Sequence, residues 1–68
     1  SERKRLVREC LDRLPIKFRE VLILRELEGM PYRDISRILK VAQGTVESRI
    51  FRARERLATE LRKMEESL

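Results

Sequence analysis

The side chains best suited to chemistry in this chain are gathered between Gln43 and Arg56. Arg49, Arg52, Arg54 and Arg56 are interleaved there with Thr45, Glu47, Ser48 and Phe51. A guanidinium fork matches a phosphate or a guanine edge with two parallel donors, a hydroxyl donates or accepts toward either, and a phenyl ring covers a thymine methyl. None of these groups is a ready proton shuttle. The chain has no histidine and one cysteine, which removes Cys/His zinc sites, an internal disulfide and histidine-based acid–base or triad catalysis together. The pattern is that of a binding protein and not an enzyme, with no metal or cofactor. Cys10 reads as a small core residue without a redox role.

A polyanion suits the overall charge. Lys and Arg number 17 against 12 Asp and Glu, a formal net charge of +5. Hydrophobic residues at 41% and charged residues at 43% place the chain between an ordinary globular protein and a charged helical one, which excludes a disordered polymer. Its 68 residues suffice for one small domain over 1–68. A core of this size supplies only about 3 to 5 kcal/mol, so packing against a partner or a parent protein matters. No apolar run approaches the roughly 20 residues that span a bilayer, and no signal-peptide pattern is present, so the reading is cytoplasmic with no membrane partner. The chain opens with Ser1 and is read as a piece of something longer.

Helices must position the basic stretch, because two Gly and two Pro leave little material for hairpins while Leu, Arg, Lys and Glu favour helix. Leu6, Val7, Cys10, Leu11 and Leu14 share one face of a first helix. Pro15 opens a second that runs to about Glu28 and is stopped by Gly29. Within it Ile16, Phe18, Val21, Leu22, Leu24 and Leu27 exceed a narrow stripe, which predicts a central helix contacted from more than one side. Ile35, Ser36, Ile38 and Leu39 give a short third helix from near Tyr32, with Asp34 in its first turn. After the non-periodic Val41 to Thr45, the apolar positions Val46, Ile50, Ala53, Leu57, Leu61, Met64 and Leu68 recur every three or four residues and describe a long final helix. The fold class is all-α: a four-helix domain containing a helix-turn-helix, with a long C-terminal recognition helix. The competing plan is a plain four-helix bundle.

With Val46, Ile50, Ala53 and Leu57 facing the core, a step of about 100° per residue puts Gly44, Ser48, Phe51, Arg52, Glu55 and Thr59 on the opposite side. An aromatic ring turned outward is costly unless something covers it, and a major groove would do so. Packing of Phe51 on a neighbouring helix is the alternative. Arg52 has the reach for a guanine, and Ser48 is small enough to let the helix approach. Gln43, Gly44 and Thr45 lie at the start of the helix, where free N–H groups favour a phosphate. Arg49, Arg54 and Arg56 are expected to divide between phosphates and local pairs with Glu47, Glu55 or Glu60. Arg25, Tyr32 and Arg33 flank the supporting elements and are candidates to grip the adjacent backbone.

The strings LPIKFREVLILRELEGMPYRDISRIL and GTVESRIFRARERL resemble region 4 of bacterial sigma factors, particularly the extracytoplasmic-function group, over roughly Leu14 to Leu61. The GTV-x-SR-x-x-RAR pattern from Gly44 to Arg54 is the specific part. The resemblance implies recognition of the promoter −35 element, outer helices that hold the flap of the RNA polymerase β subunit, and an anti-sigma factor that masks the region. It implies base or groove contacts from Ser48, Phe51 and Arg52, and backbone contacts from Arg25, Tyr32, Thr45 and Arg54.

Three positions depart from the family pattern. Glu47 stands where relatives often carry Lys or Arg, and its carboxylate would repel phosphate yet accept from a cytosine amino group. Lys40 replaces a frequent Gly between the two helices, where a left-handed conformation would cost on the order of 1 kcal/mol. Pro31 and Ala42 exchange the usual capping and proline positions. Two other functions share the helical plan: a response-regulator effector domain of the LuxR type, which dimerises through its last helix, and a protein-interaction module whose Leu61, Met64, Leu68 stripe docks a partner helix. The sigma-like reading predicts a monomer on DNA.

Overall fold

The computed structural model describes residues 1–67, and it is helical throughout with short joints. Helix α1 spans Glu2–Arg13, its start capped by the Ser1 hydroxyl, which accepts from the Lys4 N–H at 3.4 Å. Pro15 forces the residue before it out of the helical region, and Leu14 is accordingly extended at φ −78°, ψ 147°. Helix α2, Ile16–Leu22, begins on Pro15 and runs into a π-helical turn at Ile23–Leu27. That turn closes with the Glu28 N–H donating to the Ile23 carbonyl and the Met30 N–H to the Leu24 carbonyl, each at 3.1 Å. Gly29 adopts φ +66°, the left-handed conformation that ends the element.

Helix α3 covers Tyr32–Leu39 and helix α4 covers Gln43–Glu66. Both start from an extended residue without a side-chain cap, Pro31 and Ala42, each at φ −64°, ψ 150°. Pro31 pre-sets the entry by its ring. Ala42 has no such constraint, so the first turn of α4 rests on the Thr45 and Val46 N–H groups donating to the Ala42 carbonyl at 3.0 and 3.2 Å. Between α3 and α4, Lys40 is left-handed at φ 58°, ψ 47°, and the Val41 N–H returns to the Ser36 carbonyl at 3.1 Å. Lys40 therefore adopts the left-handed conformation that is costly for a residue other than glycine, and beyond this joint Ile35 of α3 joins Val46 and Ile50 of α4 in one core cluster.

One core cluster joins all the elements: Leu14, Phe18, Val21, Leu22, Ile35, Val46, Ile50 and Ala53, bordered by Leu11, Leu24, Met30, Tyr32, Leu39, Val41 and Leu57. Full burial of a side chain such as Ile35 or Ile50 stabilises the fold by about 1.5–3 kcal/mol. The second half of α4 lies on α1, where Leu6 and Cys10 are buried and the Cys10 thiol donates to Met64 Sδ at 3.3 Å. The C-terminal apolar stripe thus packs back on the first helix through Met64, while Leu68 lies outside the described residues.

Helix α2 corrects one expectation. Phe18, Val21 and Leu22 are buried, but Ile16 and Leu27 are 70% and 71% exposed, so the element is packed along one stripe and not from several sides. Among the described residues no further element covers a second apolar face. The π turn keeps Leu24 against the core while Leu27 faces outward.

Candidate nucleic-acid interface

The first half of α4 is divided cleanly by its neighbours. Val46, Ile50 and Ala53 have at most 1% exposure. On the far side Gly44, Glu47, Ser48, Phe51, Arg52 and Glu55 are all exposed, with Gln43 exposed at the helix start and Thr45 and Arg49 half-buried along its flanks. Thr59, expected on the same outer side, is half-buried. Phe51 is 65% exposed, so the neighbouring-helix alternative does not hold for this ring. A Cβ added at Gly44 would meet nothing within 4 Å, and its φ is not left-handed, so the fold itself places no demand for glycine there. The Ser48 hydroxyl donates to the Thr45 carbonyl at 3.2 Å, which leaves its lone pairs facing outward.

The flanking cations are held from several directions. Arg25 Nη1 donates to the Met30 carbonyl at 2.9 Å, and its guanidinium sits 4.9 Å from the centroid of the Tyr32 ring, so the π turn and α3 are tied at one point. Arg33 is exposed, with Nε 4.0 Å from its neighbour Asp34. The expected local pairs of Arg49, Arg54 and Arg56 with Glu47, Glu55 or Glu60 are not formed. Arg54 Nε instead donates to Glu26 Oε1 at 2.9 Å, and this bond to a carboxylate raises the guanidinium's already high pKa further. Arg56 lies over the Phe18 ring at 5.5 Å. Glu60 is engaged by Lys63 at 3.3 Å and Arg13 at 4.0 Å. Intrahelical spacing failed to anticipate the Arg54 partner because Glu26 lies 28 residues earlier and meets α4 only through the core. Glu47 makes no ion pair among the described residues, so its carboxylate is free on the exposed edge.

A sequence model of the family described as sigma-70, region 4, matches residues 4–57, the greater part of the chain. The chain belongs to the sigma-70 region 4 family. This region 4 domain is 44% identical over 61 residues to the ECF RNA polymerase sigma-E factor of Haemophilus influenzae, covering 90% of this chain and 32% of that protein. It is 49% identical over 49 residues to the RNA polymerase sigma-H factor of Pseudomonas aeruginosa, covering 72% of this chain and 25% of the other. The ECF RNA polymerase sigma-E factor of Escherichia coli is 44% identical over 55 residues, 81% of this chain and 29% of that protein. The chain spans about a third or less of the length of these curated relatives.

A second surface of the region 4 domain lies away from the Phe51 edge. Val7 and Leu11 of α1 and Ile23 and Leu27 beside α2 wall an apolar groove, rimmed by Arg3, Lys4, Arg8 and Arg19 with a single carboxylate, Asp12. Arg19 Nη2 donates to the Leu14 carbonyl at 3.1 Å, while its buried Nε has no partner among the described residues. Sequence spacing points to neither Leu27 nor Arg19 here, because the groove exists only where two helices meet. Among the described residues, no helix is long and apolar enough to cross a membrane, and no group of three or more His, Cys, Asp or Glu could hold a metal ion.

Proposed function

We propose that this region 4 domain reads the −35 element of a promoter in the DNA major groove and thereby directs RNA polymerase to the start of transcription. One observation carries the reading: Phe51 is uncovered beside Arg52 on the edge of α4 opposite the core. Leaving a phenyl ring in water forfeits about 1.5–3 kcal/mol that a groove lined by thymine methyls recovers. Arg52 supplies two parallel donors to a guanine, Ser48 lets the helix approach, and the unpaired Glu47 selects a cytosine amino group. Gln43, Gly44 and Thr45 present the helix start to a phosphate. Arg25, Tyr32, Arg33, Arg49, Arg54 and Arg56 hold the flanking backbone, Arg54 by exchanging Glu26 for a phosphate.

The domain performs no covalent chemistry. It acts as a monomeric part of a longer, cytoplasmic sigma factor, and its apolar, basic-rimmed groove on α1 and α2 seats the flap of the polymerase β subunit. An anti-sigma factor that covers either surface would silence it. A single module of this kind buries about 600–1,000 Å² of protein surface on DNA, so other sigma regions and core polymerase supply the remaining affinity by tethering.

Selection of duplexes from a random pool by the 68-residue chain, followed by titration of Arg52→Ala, tests the reading. Loss of about ten- to a hundred-fold in affinity is expected, with relaxed preference at one base pair. Unchanged binding and unchanged preference would leave α4 as a docking helix only.

A further inference from the structure

Three cations converge on a cleft between the start of α2 and the middle of α4. Pro15, Phe18 and Thr59 wall it, Lys17, Arg52 and Arg56 line its mouth, and Glu55 is the lone carboxylate. Phe18 is buried, and its ring receives Lys17 Nζ at 5.2 Å and the Arg56 guanidinium at 5.5 Å from the centroid. Of the 17 Lys and Arg side chains, Arg5, Arg13, Arg33, Arg54 and Lys63 have a carboxylate within 4.0 Å among the described residues, and the three at this cleft belong to the larger group that does not. Among the described residues, Lys17, Arg52 and Arg56 form no ion pair, and neither does Glu55 beside them.

Three cations with one carboxylate among them leave the cleft net positive, and an anion in their midst offsets the remaining repulsion. The Phe18 ring attracts both cations, so part of their rotamer freedom is already lost before any ligand arrives. Arg56 follows Arg52 by one turn of α4, which makes the cleft continuous with the edge that carries Phe51. The cleft is open along its length and therefore suits a strand of phosphodiesters better than an enclosed small anion.

We propose that Lys17 and Arg56, held on the Phe18 ring, form a clamp for DNA backbone phosphate at the border of the Arg52 contact. The clamp rests on the reading of α4 as the DNA-facing helix and lengthens its footprint onto α2. Its contribution is independent of base sequence, because it engages phosphate alone.

The test uses fluorescence anisotropy of the 68-residue chain with a selected and an unrelated duplex, each of about 20 base pairs, across roughly 50–300 mM KCl. Lys17→Gln and Arg56→Gln should each reduce the steepness of the log–log salt dependence by about 0.9, the value for one phosphate. The same counterion term gives about a five-fold weakening at 0.15 M salt, equal on both duplexes. Lys17→Arg should restore the wild-type slope. If both glutamine variants keep the wild-type slope while Arg52→Ala still weakens the selected duplex, the clamp is overturned and the α4 reading stands. If Lys17→Gln weakens only the selected duplex, the clamp is likewise overturned. Failure of the wild-type chain to bind any duplex overturns both.

Discussion

Replacing Lys40 by glycine should stabilise the domain. Lys40 is the one residue other than glycine with positive φ among the described residues, at 58°, and its side chain is exposed with no ion pair. A left-handed conformation costs an L-residue roughly 1–2 kcal/mol, which glycine does not incur. Against this gain, glycine enlarges the unfolded ensemble by about 0.4–1 kcal/mol. The net expectation for Lys40→Gly is a stabilisation of about 0.5–1 kcal/mol. An unfolding entropy of about 2.1 cal/mol/K per residue makes 1 kcal/mol worth about 7 °C in a chain of this length, so Tm should rise by roughly 4–7 °C. Thermal unfolding followed by circular dichroism at 222 nm measures this directly, with Lys40→Ala as the comparison. Alanine retains the steric penalty and should leave Tm within a degree or two of wild type, or lower it. Equal Tm values for the glycine and alanine variants would show that the left-handed turn is not strained and would refute the reasoning.

Ile35→Ala removes a fully buried side chain at the junction of α3 and α4 and should cost about 2–5 kcal/mol, enough to unfold most of a domain this small at room temperature. Loss of the cooperative thermal transition is the readout. Glu26→Gln breaks a pair that is about half exposed on both sides, so stability should fall by no more than about 1 kcal/mol in urea melts. The same change frees Arg54, and DNA affinity by anisotropy should rise. Burial pushes the Cys10 thiol pKa up, so the native chain should resist iodoacetamide at neutral pH while the urea-unfolded chain reacts. Because the folded state favours the protonated thiol, this residue's stabilisation should be complete below the ordinary thiol pKa of about 8.5 and be lost as pH rises through the higher folded value.

Helix positions were legible wherever apolar spacing and breakers agreed. Pro15, Gly29 and Pro31 mark joints by backbone restrictions that do not depend on the rest of the molecule, and Val46, Ile50 and Ala53 mark the inner face of α4 by period alone. The outward Phe51 followed from the same angle. Three features were hidden because each depends on what the chain brings together across distance. The apolar pattern of α2 predicts cover for Ile16 and Leu27, yet whether an apolar residue is covered depends on how many elements surround it. The π turn at Ile23–Leu27 shifts the helical phase by a residue with no sequence punctuation to announce it. The partners of Arg54 and Arg56, Glu26 and Phe18, lie on another helix, beyond the reach of intrahelical spacing rules.

Helix α4 is a single uninterrupted rod of 24 residues, about 36 Å from end to end. Its leading half carries Phe51 and Arg52, and its trailing half is anchored to α1 through Met64 and Cys10. With no flexible joint between the two halves, any protein that grips α1 also fixes the heading of the leading half. Small tilts imposed at one end would swing the other through several ångströms, so under the proposed function the rod would act as a gauge of alignment between polymerase and promoter.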